Sequence, residues 1–218
     1  AVSSREIDAN FRGTSPPAVI VQVEGAGASD SLAQAVAQLP GVRAAEARGL
    51  VEGRVLFGPD QWRRILLFVV DDFARVRVST FTREKGAWPP ATGEILVERS
   101  AVPYLERTMG DTMVVKTANG TRRELAVTGV VHDPGQSPGW VDGIGYGYIT
   151  RATLAELGEA PVLNELRVAV DARVGAAEVS ALVPMAVMPS VPGAESSETR
   201  PSLPSNTVSS TRPGPPPT

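Results

Sequence analysis

The chain contains no cysteine and a single histidine, His132. No disulfide framework, thiolate metal site or cysteine nucleophile can be built from it, and no site that needs two imidazoles. The missing cysteines do not reveal a compartment, because a cysteine-free chain is stable on either side of a membrane. Aromatic residues are also scarce, at 5 % of 218 residues. The 42 % hydrophobic fraction is therefore mostly Val, Leu, Ile and Ala, and the core must come from them. Basic charge is not in excess: 21 Lys and Arg stand against 24 Asp and Glu, a net charge of −3. That argues against a nucleic-acid-binding chain. Long apolar runs are absent too. The longest, Ile65-Leu66-Leu67-Phe68-Val69-Val70, falls far short of the ~20 residues a membrane helix needs and reads as a buried strand. No signal peptide is visible, and the chain starts with Ala1 rather than Met, so it is expected to be a piece of something longer.

At roughly 150 residues per domain, the length suits one large domain or two small ones. Residues 1–17 are polar and close on Pro16-Pro17, which favours an extended lead-in. Ala18 to Val23 reads as a strand. Ser29 or Asp30 can cap a helix carrying Leu32, Val36 and Leu39 on one stripe, ended by Pro40-Gly41. Val42 to Phe57 is extended, with Gly49 and Gly53 as expected bends or bulges. Asp72 to Glu84 fits a short helix or an alternating strand equally well. Glu94 to Val97 is a strand, followed by a helix from about Ser100 whose first turn accommodates Pro103.

Met113–Thr117 and Arg122–Val131 flank Asn119-Gly120, the signature of a hairpin with a type I′ turn. His132 to Gly147 reads as a long Gly/Pro-rich loop, and Tyr148-Ile149 as a short strand. Thr150 to Leu157 is a helix with Gly158 beyond its end; Leu163 to Val170 is a strand; Ala176 to Val183 starts a further helix. Residues 184–218 hold 9 Pro and 11 Ser or Thr with almost no apolar periodicity. Such a segment cannot offset its chain entropy and is expected to be disordered, either as a genuine linker or as the product of a shifted reading frame.

Candidate chemistry is sparse. Gly25-Ala26-Gly27 follows a strand and opens a helix, but the third glycine and the strand-end acid of a dinucleotide site are missing. No phosphate-binding Gly-x-x-x-x-Gly-Lys-Ser/Thr run exists. His132 and Asp133 are adjacent, which rarely lets one side chain orient the other, and Asp133-Pro134 is better read as a turn starter. Asp71-Asp72 lacks the further ligands that a hard cation requires and reads as a solvated strand end. Arg63-Arg64 and Arg122-Arg123 are isolated pairs expected on wet strand faces. Trp62, Trp88 and Trp140 stand near Pro or Gly and read as loop residues, fitted either to cap a core edge or to anchor a partner. In the loop from Gly135 to Tyr146, three large apolar side chains (Trp140, Ile144 and Tyr146) are the candidate partner contacts, against the alternative that Trp140 folds back onto its own lobe. No catalytic, cofactor-binding or metal-ligating residue is assigned.

Five stretches carry a family resemblance. They are Gly86-Ala87-Trp88-Pro89-Pro90-Ala91-Thr92-Gly93-Glu94-Ile95-Leu96-Val97-Glu98, Met109-Gly110-Asp111-Thr112-Met113-Val114-Val115, Val127-Thr128-Gly129-Val130-Val131-His132-Asp133-Pro134, Tyr146-Gly147-Tyr148-Ile149-Thr150 and Leu163-Asn164-Glu165-Leu166-Arg167-Val168. In order and spacing the series resembles the extracytoplasmic core domain of MacB/FtsX-like ABC-transporter permeases, over about residues 3–183. The resemblance implies an α+β fold of two lobes. Residues 18–89 and 151–183 would form a βαβ-type lobe from both chain ends, and residues 90–150 an inserted β-rich lobe. Residues 1–17 would follow a transmembrane helix that the chain lacks. It further implies a non-catalytic domain outside the plasma membrane that couples helix motion to a substrate or partner. Its partners would be a cytoplasmic ABC ATPase subunit and a sister permease subunit or an extracytoplasmic protein. A free-standing secreted or periplasmic binding module is the other reading, and an enzyme a distant third.

Overall fold

Val19–Gln22 (β1) is built from β-branched residues, and it is followed by Gly25 and Gly27 at positive φ, which turn the chain into a helix. That helix, α1 (Asp30–Ala37), is capped by Ser29, whose hydroxyl accepts the Leu32 N–H at 3.1 Å. Val36 and Ala33 are its buried residues, with Leu32 and Leu39 half-buried beside them. The chain then runs into β2 (Val42–Gly58), and β9 (Glu165–Val170) lies antiparallel to both β1 and β2. The result is a split βαβ unit in which the last strand separates the first two. The computed structural model describes residues 14–171 of the chain. The expected helix at Ala176, the tail 184–218 and most of the lead-in fall outside them.

β2 is 17 residues long and changes partner midway: Arg48 pairs with Glu165 of β9, while Gly49 pairs with Val69 of β3 (Gln61–Val69). Gly49 and Gly53 are not bulges, since the register with β3 runs unbroken from Gly49 to Leu56. Gly49 serves close approach instead: a Cβ there would lie 2.6 Å from Val69 Cβ.

The remaining strands are β4 (Thr82–Gly86), β5 (Glu94–Glu98), β6 (Thr112–Thr117), β7 (Arg122–His132) and β8 (Ile144–Ile149). Pairing runs β2–β3–β8–β5–β7–β6 and returns from β6 to β2, so six strands close into a ring. A barrel of this size has its interior filled by side chains. Val55, Ile65, Leu67, Ile95, Val115 and Leu125 fill it, none more than 1 % exposed. Space is tight enough that Gly147 has no room for a side chain: a Cβ would stand 2.5 Å from Ile95 Cδ1. Outside the ring, Phe68, Tyr148, Phe81, Phe73 and Trp88 form an aromatic layer with successive ring centroids 4.3–6.2 Å apart. Of Asp72 to Glu84, which fit a helix or a strand equally well in the sequence, residues 73–81 are irregular and held by these rings, and Thr82–Glu84 belong to β4.

The fold is α+β, as the sequence implies. Strand pairing, however, crosses the boundary expected at 89/90: β3 pairs with β8, and the far half of β2 pairs with β6. A strand's periodicity shows which face is buried but not which strand lies beside it. The hairpin also differs in detail. Of Asn119 and Gly120 only the glycine has positive φ, and Gly120 N–H donates to Thr117 O at 3.1 Å. The turn is therefore not type I′; a longer loop with a left-handed glycine makes the reversal. Among the described residues, no helix is long and apolar enough to cross a membrane.

Candidate functional site

The stretch between β7 and β8 begins at two buried carboxylates. Asp133 is a turn starter, as expected: its Oδ1 accepts the Gly135 N–H at 2.9 Å. Its Oδ2 accepts the Tyr148 hydroxyl at 2.6 Å and Gln136 Nε2 at 3.2 Å. Glu98, at the end of β5, accepts from the Ser100 N–H and hydroxyl with one oxygen and from the Asp133 N–H with the other. Both acids tolerate burial because their lone pairs are occupied. His132 lies alongside. Its Nε2 is 3.2 Å from the Arg99 guanidinium, and its Nδ1 is 3.7 Å from Glu98 Oε1.

This network acts on Tyr148. Burial, then the charge and hydrogen bond of Asp133, raise its pKa well above 10.0. The unfolded tyrosine ionises near pH 10, whereas the folded one still holds its proton. Stability is therefore intact below about pH 10 and falls as pH rises from there towards the folded pKa. Urea midpoints measured from pH 8 to 11 should show this decline, and Tyr148→Phe should flatten it. An unchanged slope in the variant would remove Tyr148 as the cause.

The chain next forms a single turn, α3 (Gly139–Asp142), laid against another, α2 (Val102–Leu105). Gly139 permits the contact: a Cβ there would be 2.8 Å from Ile144 O and 3.2 Å from Ala101 Cα. Gly143, at φ 64°, ends the turn, and its carbonyl accepts the Tyr104 hydroxyl at 2.7 Å. On this fixed turn Trp140 and Val141 point outward, 63 % and 66 % exposed. Of the three candidate contact residues, only Trp140 faces solvent. Ile144 is half-buried against the core, and Tyr146 is 4 % exposed and stacked on Phe68. The expected loop is thus a helical turn followed by a full strand. The glycines that suggested a loop, Gly145 and Gly147, instead make room for Leu105 and Ile95.

The other sequence candidates take structural places. Ala28, after Gly27, bridges to Leu163, so that turn joins β1 to α1. Asp71 pairs with Arg151 at 3.0 Å and Asp72 accepts the Ala74 N–H at 2.8 Å. No group of three potential metal ligands occurs among the described residues. Arg63 is half-buried at the barrel mouth over the rings of Phe57 and Tyr104, while Arg64, Arg122 and Arg123 are exposed. Trp62 lies within β3 rather than a loop, and Trp88 closes the aromatic layer. Sequence reasoning missed two ion pairs, Arg48–Glu46, in which the arginine is buried and the glutamate half-buried, and Arg167–Glu165, in which both are buried. Their alternate spacing along a strand was legible, but not their burial.

No protein-family model matches the chain, and no curated protein does. Its fold is similar to that of the periplasmic region of MacB from Actinobacillus actinomycetemcomitans. There the identity is 14 %, the TM-score 0.46, and 82 % of this chain and 86 % of that one are covered. It is also similar to the extracellular domain of the noncanonic ABC-type transporter YknZ from Gram-positive bacteria, at 11 % identity and TM-score 0.46 over 73 % and 90 % of the chains. A domain of a putative permease from Porphyromonas gingivalis is similar at 17 % identity and TM-score 0.43 over 75 % and 76 %.

Proposed function

We propose that this chain supplies the extracytoplasmic domain of an ABC-transporter permease subunit, a non-catalytic module set between two membrane helices that couples their motion to a substrate or partner outside. The observation that carries this reading is that the first and last strands of the described residues lie side by side. Ala18 N–H donates to Val168 O at 2.8 Å, and β1 runs antiparallel to β9, so the chain arrives and leaves side by side. Neighbouring strands are about 5 Å apart, which suits insertion between two adjacent spans. The five motif stretches that resemble the permease family support the same reading. ATP hydrolysis would belong to a cytoplasmic partner subunit.

These 218 residues contain no cysteine, so a cysteine placed here is read against the unsubstituted parent. A single Asn119→Cys variant of the native gene product should react with a membrane-impermeant maleimide in intact cells and stay with the membrane pellet. Labelling only after lysis would overturn the extracytoplasmic placement. Labelling in a soluble fraction would favour the secreted binding module. The coupling step has its own test at Trp140. Because this side chain is mostly exposed, Trp140→Ala should change stability by less than about 0.5 kcal/mol. Transport or partner binding should nevertheless fall. Unchanged transport would remove Trp140 from the contact surface.

A further inference from the structure

Barrel closure brings together cations that are far apart in sequence. Arg64 of β3 stands opposite Arg54 of β2, Arg54 opposite Lys116 of β6, and Lys116 opposite Arg122 of β7. Directly opposed residues of antiparallel pairs point to the same face, about 4.5–5.5 Å apart. Their neighbours Val55, Ile65 and Val115 fill the barrel, so the four cations form a row on its outer wall. Two exposed carboxylates, Glu52 and Glu124, share that face with the four cations. Arg64 has only an exposed Glu52 at 3.7 Å, and Arg54 has no ion pair among the described residues. Lys116 and Arg122 share the ring of Trp62, at 3.7 and 5.1 Å from its centroid. An open groove of about 390 Å³ runs beside Arg54, Arg64 and Lys116.

Like charges directly opposite one another destabilise a sheet. Here four stand in succession on a chain whose net charge is −3. We infer that the row is a docking surface for an acidic segment of a partner protein, with Trp62 as its aromatic flank. Carboxylates laid along it would relieve the repulsion that the free domain bears. The choice of protein over lipid rests on the proposed insertion between membrane helices. β2 starts at Val42, opposite Val170 at the end of β9, and Arg54 is twelve residues further along. At 3.3 Å per residue that is up to about 40 Å of strand away from the side where a bilayer would lie.

The test uses the 218-residue chain and a fluorescein-labelled deca-glutamate peptide, read by anisotropy at low salt. The peptide should bind, and Arg54→Glu with Lys116→Glu should weaken it at least tenfold. Arg83→Glu with Lys85→Glu changes net charge equally on β4 and should leave binding within twofold. Equal weakening by both pairs would mean a general charge effect and overturn the site, as would no binding at all. Phosphatidylglycerol vesicles form the second arm: if they sediment the chain while the peptide is ignored, the surface belongs to lipid and the proposal fails. Folding is checked separately with Arg54→Thr, which relieves the repulsion. It should melt at the same temperature or slightly higher while losing peptide affinity; undiminished affinity would overturn the row. These readings are independent of maleimide labelling in cells, so failure of the docking surface and failure of the extracytoplasmic placement are told apart.

Discussion

Arg48→Ala should cost about 3–5 kcal/mol, the range for removing one partner of a buried ion pair. Arg48 lies on β2 one residue before the strand changes partner, and its side chain is 1 % exposed. The guanidinium pairs with Glu46, reaches Val78 O at 3.4 Å and lies 5.5 Å from the Phe81 ring centroid. Glu46 in turn accepts the N–H groups of Arg77 at 2.7 Å and Val78 at 3.1 Å. The two side chains therefore staple the irregular 73–81 segment, and the aromatic layer it carries, onto β2. Truncation leaves a cavity beside Phe81 and a carboxylate with a missing counter-charge. Arg48→Met keeps most of the volume and should lose less, and adding Glu46→Gln should recover part of the remainder. Urea unfolding with an unchanged slope is the measurement. A loss under about 1 kcal/mol would show that the staple does not hold the segment.

Gly86→Ala should cost about 3 kcal/mol, for two reasons that a control can separate. Gly86 is at φ 88°, where an L side chain costs roughly 1–2 kcal/mol. Its Cβ would also stand 2.2 Å from Thr128 O and 2.5 Å from Gly129 Cα, because Gly86 of β4 faces Gly129 of β7. Backbone cannot move aside as a side chain can, and overpacking adds about 1–3 kcal/mol. Gly120 has nearly the same φ, 80°, yet nothing within 4 Å of a Cβ. Gly120→Ala should therefore show the conformational cost alone, about 1–2 kcal/mol. Equal losses in the two variants would mean that the β4–β7 approach is not as close as described. Hydrogen exchange should place the extra loss of Gly86→Ala in β4, the edge of the sheet.

What the sequence determined by itself is local. A cap at Ser29 or Asp30, the stripe of α1, the helix after Thr150, the apolar run of β3 and the turn at Asp133-Pro134 were all legible, because each depends on neighbours within a few residues. So was the absence of cysteine or a second histidine, which no tertiary structure can alter. Glycine was the main source of misreading. Gly49, Gly145 and Gly147 look like chain breakers in a sequence, yet each sits inside a regular strand where another strand or side chain comes too close for a Cβ. Whether a glycine bends a strand or makes room in one depends on what packs against it, and that partner lies far away in sequence. The same reason separates Trp140 from Tyr146: both are aromatic and bounded by glycine, but only the strand pairing of β8 with β3 and β5 puts one in solvent and the other under Phe68. Arg64 and Arg122 likewise read as isolated pairs on wet faces. They become two members of one charged row only because β2 and β6 lie between β3 and β7, and register between distant strands is fixed by the fold as a whole.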